Sequence, residues 1–302
     1  MDTLKNKIDF AVIVCVNNAN PNGDPLNGNR PRVNYDGLGE LSDVSIKRKI
    51  RNRLMESGQS IFVQSDDNRV DDYRSLRNRA EGTLKNVDVK NDKKYREAAC
   101  KEWLDVRAFG QVFAFKGGGK KGKAKENTEG GEGGDDSGVS IGIRGPVSIH
   151  PAFSVVPVLD RISSTQITKS VSGEGDGSKR GSDTMGMKHR VDHGVYVFYG
   201  SMNPQLATTT GFSDHDAEAI KEALRTLFRN DASSARPEGS MEVYRLYWWS
   251  HNSPNGQYSS AKVHRLLDVH VKPGVEEPNQ IEDYEIDLKE LPGLACEEIE
   301  GE

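Results

Sequence analysis

Five cationic side chains lie in one short predicted helix, and their chemistry suits the binding of phosphate groups. The helix is expected to begin at Ser42 or Asp43, either of which can cap it, and to end near Ser57, before Gly58. Its buried stripe repeats at every fourth position and consists of Ile46, Ile50 and Leu54. The cations flank this stripe or point away from it, and they are Lys47, Arg48, Lys49, Arg51 and Arg53. A phosphate backbone crossing this edge could meet them, although a solvated basic face would give the same pattern.

The segment before this helix, residues 17–39, is dense in Asn, Pro and Gly and is expected to form a long structured loop. Its backbone amides, together with Arg30 and Arg32, could cradle phosphates. A rigid turn without a ligand would explain the same composition, so both interpretations stay open.

The elements that must position these side chains follow from hydropathy patterns. Residues 8–16 are apolar on both faces of a strand, which is typical of a central, buried strand. Residues 213–230 form a helix that begins with a capping pattern at Ser213 and Asp216. Further strands are expected at 139–159, 195–199, 241–249 and 262–271. This order predicts an α+β fold: a ferredoxin-like or RRM-type palm with large insertions.

Three segments depart from this palm. The first insertion spans about residues 60–138, and its Gly- and Lys-rich part, 116–138, has too little apolar surface to order itself, so a mobile loop is expected. A second insertion, at about 165–190, is rich in Gly and Ser and is basic. Residues 1–275 are therefore expected to be one domain with two insertions, followed by an acidic C-terminal tail over residues 276–302.

The charge of the chain is unevenly distributed. The tail holds 11 acidic residues and one lysine, a net charge of −10, whereas the whole chain has a net charge of −5. Residues 1–275 therefore carry 40 cations against 35 carboxylates, a net charge of +5. A mild excess of this kind permits phosphate binding without demonstrating it.

Composition also excludes some classes of protein. No run of about eighteen apolar residues is present, so no membrane-spanning helix is expected. The three cysteines, Cys15, Cys100 and Cys296, are far apart and fit neither a disulfide framework nor a CxxC metal site. A reducing cytoplasm is the natural compartment for such a chain.

Several motifs together resemble a known family. The block Asn20-Pro21-Asn22-Gly23-Asp24-Pro25, with Ser42-Asp43-Val44 and Lys47-Arg48-Lys49-Ile50-Arg51-Asn52, is similar to the backbone subunits of type I-C Cascade complexes. That is the seventh CRISPR-associated family, within the RAMP superfamily. The motifs that follow in the order of this family are Asp105-Val106-Arg107, Arg144-Gly145-Pro146-Val147, Tyr199-Gly200, Gly211-Phe212-Ser213 and Ser234-Ala235-Arg236. The resemblance covers roughly residues 5–272.

The resemblance implies an RRM-like palm, a fingers-like helical region and a thumb β-hairpin. Copies of the chain would form a homo-oligomeric filament along one CRISPR RNA and leave the guide bases free to pair with target DNA. Other Cascade subunits and a helicase-nuclease recruited to the complex are further expected partners in antiviral defence. No cofactor and no membrane partner are expected.

The resemblance also implies which residues bind RNA. They are Arg30, Arg32, Lys47, Arg48, Lys49, Arg51, Arg107, Phe109, Arg144, Lys169, Met185, Lys188 and Arg190. The last four fall in the thumb, where Met185 would suit an apolar wedge against a base. Which thumb residue intercalates stays open, and Arg107 and Phe109 would serve RNA binding or core packing equally well.

Other functions must be weighed against this one. A metal-dependent endoribonuclease of the same superfamily would need a loop aspartate, and Asp24 is the candidate, although aspartate in such a turn usually bonds backbone amides. A single-stranded RNA-binding protein that works alone is a further alternative. His189 and His193 lack the third ligand that a zinc site needs. The aromatic cluster at residues 244–249 could stack bases, but strand alternation favours core packing for most of it.

Overall fold

A computed structural model describes residues 2–115, 139–169 and 184–302 of the chain. The Gly- and Lys-rich segment 116–138 and the middle of the predicted thumb, residues 170–183, lie outside the described residues. The helices are α1 (Asp43–Glu56), α2 (Leu76–Thr83), α3 (Asp92–Glu102), α4 (Leu104–Phe109), α5 (Pro204–Thr210), α6 (Asp214–Arg225) and α7 (Ser260–His264). The strands are β1 (Ile8–Ala19), β2 (Gly23–Asp24), β3 (Arg30–Pro31), β4 (Leu38–Leu41), β5 (Gly110–Phe115), β6 (Val139–Arg144), β7 (Val147–Ile149), β8 (Ala152–Pro157), β9 (Ile162–Lys169), β10 (Thr184–Met202), β11 (Met241–Ser250), β12 (Leu267–Val271), β13 (Tyr284–Leu288) and β14 (Cys296–Glu300).

A large antiparallel sheet organises the fold. Its strands lie in the order β14-β11-β1-β10-β8-β4, and β7 and β9 also pair with β10. Strand β1 has β10 on one side and β11 on the other. The prediction of a central, buried strand is confirmed, because Phe10 and Val12 face one apolar cluster while Ala11 and Ile13 face another.

Helices α1 and α6 cover one face of this sheet. The predicted stripe of α1 is confirmed, since Ile46, Ile50 and Leu54 are fully buried in the core that also contains Ile220 of α6. Ser42 caps α1 by accepting a hydrogen bond from the Ser45 N–H. At α6 the predicted capping box of Ser213 and Asp216 is present. The apolar stripe that follows it, with Ala217, Ile220 and Leu224, packs the helix against the main core beside strand β11. The burial of α1 beside α6 fixes the positions of the cations that α1 carries.

The insertion that follows α1 has a small core of its own. Helices α2, α3 and α4 pack against the β5–β6 hairpin around an aromatic group formed by Phe62, Tyr95, Trp103 and Phe113. Helix α4 joins this insertion to the main core, which contains its Leu104 and Ala108. A compact unit is therefore attached beside α1.

The part of the chain that was predicted to form a thumb contains two paired strands. Strand β9 pairs with the first part of β10, from Thr184 opposite Lys169 to Val191 opposite Ile162. The rest of β10 continues without a break into the centre of the large sheet, where it pairs with β1. The short strand predicted at 195–199 is thus part of a 19-residue strand.

The C-terminal region is folded into the domain, a point that the sequence left open. Strand β13 pairs with β12, and β14 pairs with β11 at the edge of the large sheet. The single strand predicted over 262–271 is wrong in its first half, because α7 occupies that part. Val263 and Leu266, three residues apart, are both buried, which is helical spacing. None of the described helices is both long and apolar enough to cross a bilayer.

Candidate nucleic-acid interface

A polar cleft of about 370 Å³ lies between α1 and two loops that are far apart in sequence. One wall is the loop Pro21–Gly23, the floor is α1, and the other wall is the loop at residues 230–236 that follows α6. Charged side chains line this polar cleft, and they are Arg48, Lys49, Asp67, Asp231 and Arg236. Three of the segments that carry the sequence motifs described above therefore meet at one place.

Two asparagines hold the loops of the polar cleft together. The Asn20 N–H donates to the carbonyl oxygen of Ala235 at 2.9 Å, which ties the two loops to each other. The side chain of Asn22 accepts a hydrogen bond from the Ser42 N–H at 2.9 Å, which ties the first loop to the start of α1. Asn20 also donates through its side-chain Nδ2 to the carbonyl oxygen of Asn29 at 2.7 Å, so the side chains of both asparagines support the backbone of the first loop.

Two cations that line the polar cleft share one carboxylate. Lys49 is buried, with 6% of its side chain exposed, and forms a hydrogen-bonded ion pair with Asp231. The Arg236 Nε–H also donates to Asp231, at 2.9 Å. Burial lowers the pKa of Lys49 to about 8; the attraction of Asp231 opposes this effect, and the repulsion of Arg236 adds to it. The charge of Lys49 is thus only partly compensated.

Arg48 adds a further cation at the mouth of the polar cleft. It is the most exposed cation of α1, with 61% of its side chain accessible, as its outward position on the helix predicted. Its guanidinium lies 3.4 Å from a carboxylate oxygen of Asp67, and pairs as exposed as this one are weak. Three cations therefore face two carboxylates in the cleft, an arrangement that can accept an anion.

The other flank of α1 is committed to the fold. Arg51 donates through Nε to Asp105 at 2.9 Å, and Asp105 also accepts hydrogen bonds from the N–H groups of Phe62 and Val63. The guanidinium of Arg51 lies 5.2 Å from the ring centre of Phe109. Lys47 lies above the same ring and pairs with Asp43 at 2.9 Å. Only Lys47 of this group keeps appreciable exposure.

Arg107 is engaged inside the protein. It donates through Nε and Nη2 to the two carboxylate oxygens of Asp216, at 3.0 and 2.7 Å, and thereby fixes the insertion to the start of α6. Burial alone would raise the pKa of Asp216, but the bonds from Arg107 and Ser213 lower it below its usual range. Phe109 packs partly buried against the main core. Of the two roles left open for these residues, the geometry favours packing.

The remaining sequence candidates outside the hairpin do not line the polar cleft. Arg144 is exposed on β6, opposite Gly110. Arg32 lies 3.5 Å from Asp24, and Arg30 on β3 is close enough to His189 of β10 to lower its pKa, an effect second to desolvation. The first loop therefore reaches the base of the β9–β10 hairpin.

The hairpin itself carries the thumb candidates. Lys188 and Arg190 are exposed on one side of β10, and Arg190 pairs with Asp192 at 3.1 Å. Lys169 is the last residue of β9, and Met185 stands opposite Thr168 on β10. Met187, which sequence reasoning missed, is 51% exposed on the same strand. Strand alternation could not have identified it, because Met187 shares a face of the strand with the buried His189.

A sequence profile of the CRISPR-associated protein Cas7 family matches residues 6–289. The chain belongs to the Cas7 family. The curated CRISPR-associated protein Cas7 of Haloferax volcanii is 26% identical over 291 residues, which cover 96% of this chain and 82% of that protein.

Two solved structures are also similar to this Cas7 family member. A chain of a "CRISPR RNA-guided surveillance complex, pre-nicking" has a TM-score of 0.44 and 13% identity, with 90% of this chain and 84% of that chain covered. A chain of a "CRISPR RNA-guided surveillance complex" has a TM-score of 0.38 and 15% identity, with 80% and 68% covered.

Asp24, the aspartate considered for catalysis, is engaged within its own loop in this Cas7 family member: it accepts a hydrogen bond from the Leu26 N–H and lies 3.5 Å from Arg32. The described residues do include one His and two Asp side chains within metal-ligand reach, Asp268, His270 and Asp287, but these lie on the β12–β13 hairpin, and exposed groups of this kind are common without an ion. His189 and His193 both lie on β10, where their partners are Ser164 and Asn17.

The most informative residues that sequence reasoning missed are Asp231 and Arg236 as members of the site. Arg236 was noted only as part of a motif, and Asp231 was not noted at all. A lysine beside a buried helical stripe needs a carboxylate partner, but the sequence around Lys49 does not identify which carboxylate that is. Only the fold places the loop after α6, with Asp231 and Arg236, beside Lys49.

Proposed function

We propose that this chain is a non-catalytic backbone subunit of a type I-C Cascade complex, which binds CRISPR RNA along the polar cleft and the β9–β10 hairpin. Family membership supports the assignment to CRISPR surveillance. The observation that carries RNA binding is the floor of the polar cleft, where Lys49 and Arg236 share the single carboxylate of Asp231. A bridging phosphate would supply the missing negative charge.

The strand order supports an RRM-like palm. In chain order the core strands are β1, β8, β10 and β11, with α1 after β1 and α6 after β10; in the sheet they lie as β11-β1-β10-β8. That is the arrangement of a split βαβ fold. In this proposal the β9–β10 hairpin is the thumb and the α2–α4 insertion is the fingers.

Not all the sequence candidates are retained as RNA contacts. Arg51 and Arg107 are bonded to buried carboxylates, so we assign them to the fold, together with Phe109. The residues retained as proposed contacts are Arg30, Arg32, Lys47, Arg48, Lys49, Arg144, Lys169, Met185, Lys188 and Arg190, to which we add Arg236. Asp24 caps a turn, which supports a role in holding the loop and weighs against the endoribonuclease alternative.

As partners we propose further copies of the chain in a filament, the other Cascade subunits with a helicase-nuclease, and target DNA paired with the guide. The first test is the mass of the purified protein with and without CRISPR RNA by multi-angle light scattering, with RNA integrity followed in magnesium. Several copies on one intact RNA are expected. One copy per RNA would instead indicate a lone RNA-binding protein, and shortened RNA would indicate a nuclease.

The second test addresses the polar cleft. The double variant Arg48→Gln, Arg236→Gln leaves the Lys49–Asp231 pair in place, so the buried ammonium of Lys49 keeps its carboxylate partner. Loss of two phosphate contacts should flatten the dependence of log affinity on log salt by about 1.4 for single-stranded RNA. The matched control, Lys262→Gln with Arg265→Gln, removes two exposed cations from the opposite face of the sheet. An equal effect of both variants would remove the cleft from the RNA path.

A further inference from the structure

A groove of about 390 Å³ lies on the face of the large sheet opposite α1 and α6. Its floor is formed by β8 and β10, where Phe153 stands opposite Val197, and strand β12 forms one wall. The ring of Phe153 is left 37% exposed in this groove. The proposed path of RNA makes no use of this β12 groove, which is open and mostly apolar.

Strand β12 presents a free edge to the groove. It pairs with β13 on one side, and no second strand of the described residues pairs with it. The Lys289 N–H donates to the Leu266 carbonyl oxygen and the Lys272 N–H to that of Asp283, both at 2.9 Å, and these bonds fix the phase of the ladder. Because backbone groups alternate in direction along such a ladder, the N–H and C=O of Val269 point away from β13. Val269 lines the groove, so both groups are available to a further strand.

The two faces of the β12–β13 hairpin differ in chemistry. Val269 belongs to the apolar cluster on this side of the sheet. Asp268 and His270 lie on the other face of β12, and Asp287 and Glu285 stand opposite them on β13. Three carboxylates therefore surround one histidine on the outer face. An added strand beside β12 would have this acidic row along one face and the apolar floor along the other.

The acidic row is not neutralised by the cations of the described residues. Its carboxylates approach only His270, with 63% of the Asp268 side chain and 50% of the Glu285 side chain exposed. The lysines of this hairpin, Lys272 and Lys289, stand at its two ends. Residues 276–302 as a whole carry a net charge of −10. A surface of this charge attracts a basic partner and repels a nucleic acid.

We infer that the β12 groove binds an extended segment of a partner protein in which apolar and basic residues alternate. The segment adds to the edge of β12 as a further strand, about 4.8 Å away, and bonds to the backbone of Val269. Its apolar side chains lie on Phe153 and Val197, and its basic side chains lie beside Asp268. The proposal does not depend on RNA binding, because the polar cleft is built on α1, on the opposite face of the sheet.

The first test uses the full chain and a fluorescein-labelled peptide of alternating arginine and valine. A peptide of alternating glutamate and valine has the same strand-forming pattern and the opposite charge. Fluorescence anisotropy at low salt should show saturable binding of the arginine peptide, at least about tenfold tighter than that of the glutamate peptide. The absence of saturable binding, or equal binding of both peptides, would overturn the proposal. So would a single-stranded oligonucleotide that binds and is released by Val269→Pro, since it would assign the groove to nucleic acid.

Two proline variants distinguish the edge of β12 from the far edge of the same hairpin. Val269 and Ile286 stand opposite each other, both are partly buried in the same cluster, and both direct their N–H away from the partner strand. Proline at either position therefore removes no bond between β12 and β13. Val269→Pro should weaken binding of the arginine peptide about tenfold, and Ile286→Pro should change it less than about twofold. Equal losses in two folded variants would overturn the proposal.

Two charge variants at exposed positions keep the test decisive if the proline variants do not fold. Asp268→Asn removes a carboxylate from the strand next to the added one, and Asp287→Asn removes one from the strand beyond it. The first should weaken binding about threefold and the second much less, because cross-strand pairs act between neighbours. Equal effects would reduce the attraction to net charge and overturn the added strand. Hydrogen exchange of residues 266–272 should also slow when the peptide binds, and unchanged exchange there would overturn it as well.

Discussion

Lys49 is expected to take up a proton when RNA binds in the polar cleft. Its pKa in the free protein is lowered from 10.5 to about 8, first by burial and then by the cation of Arg236, while Asp231 opposes the change. A phosphate beside Lys49 adds a negative charge and favours the ammonium form. RNA affinity should therefore fall as the pH rises through 8, because the bound state then requires a proton that the free state has lost.

The size of this effect follows from the two pKa values. If a phosphate returns the pKa of Lys49 from about 8 to its ordinary value of 10.5, linkage gives an affinity about eightfold lower at pH 9 than at pH 7.5 for each bound chain. The stability of the free protein depends on pH in the opposite direction to the RNA affinity. Its unfolded state binds this proton more tightly, so the free energy of unfolding should rise between pH 8 and 10.5.

The assay is fluorescence anisotropy with a short RNA that contains only adenine and cytosine, since these bases lose no proton in this range. Lys49→Arg is the decisive variant, because a guanidinium stays charged throughout and should make the affinity independent of pH. Lys47→Arg makes the same chemical change on the other flank of α1 and should retain the wild-type pH profile. A wild-type affinity that does not change between pH 7.5 and 9, or an equal slope in the Lys49→Arg variant, would refute the reasoning.

Three further substitutions separate residues that hold the fold from residues that bind RNA. Arg51→Gln should lower the free energy of unfolding by about 3 kcal/mol, because Asp105 then keeps a buried charge without its partner, and RNA affinity per folded molecule should not change; urea unfolding and anisotropy measure the two quantities. Asp216→Ala should lower the free energy of unfolding by a similar amount, because Arg107 loses its partner. A carboxyl with a lowered pKa makes the protein less stable as the pH falls below about 4, so the variant's stability should depend less on pH in that range. Asp9→Ala removes a fully buried carboxylate that accepts from Lys7 and a histidine, and about 3 kcal/mol of stability should be lost, visible as a lower Tm. A change smaller than about 1 kcal/mol in any of the three would contradict the corresponding assignment.

Local elements could be predicted from the sequence wherever short-range chemistry decides them. The spacing of Ile46, Ile50 and Leu54 and the cap at Ser42 specify α1 without reference to the rest of the chain. The same is true of the capping box of α6. Even the outward position of Arg48 follows from helical geometry, because 100° per residue fixes which side chain lies opposite the buried stripe.

The partners of these side chains could not be predicted in the same way. Lys49 and Asp231 are 182 residues apart, and nothing near Lys49 distinguishes Asp231 from any other carboxylate of the chain. Arg107 resembled an RNA contact because a cation in a family motif gives no sign of a buried partner 109 residues later. Residues 276–302 indicated a tail because they hold eleven acidic residues and few apolar ones. An edge strand whose side chains pair with cations lacks the apolar alternation by which a strand is recognised in a sequence.

The continuity of β10 has a mechanical consequence. The strand leaves the large sheet at Val191 and runs to Thr184 without a bulge or a break in its pairing with β9. At about 3.3 Å per residue these seven steps extend about 23 Å beyond the sheet. The described strand has no bulge or break between its two parts, so the direction in which β10 leaves the sheet is set by the sheet itself. A polymer bound along the described arms of the hairpin would then be oriented by a strand that also forms the centre of the fold.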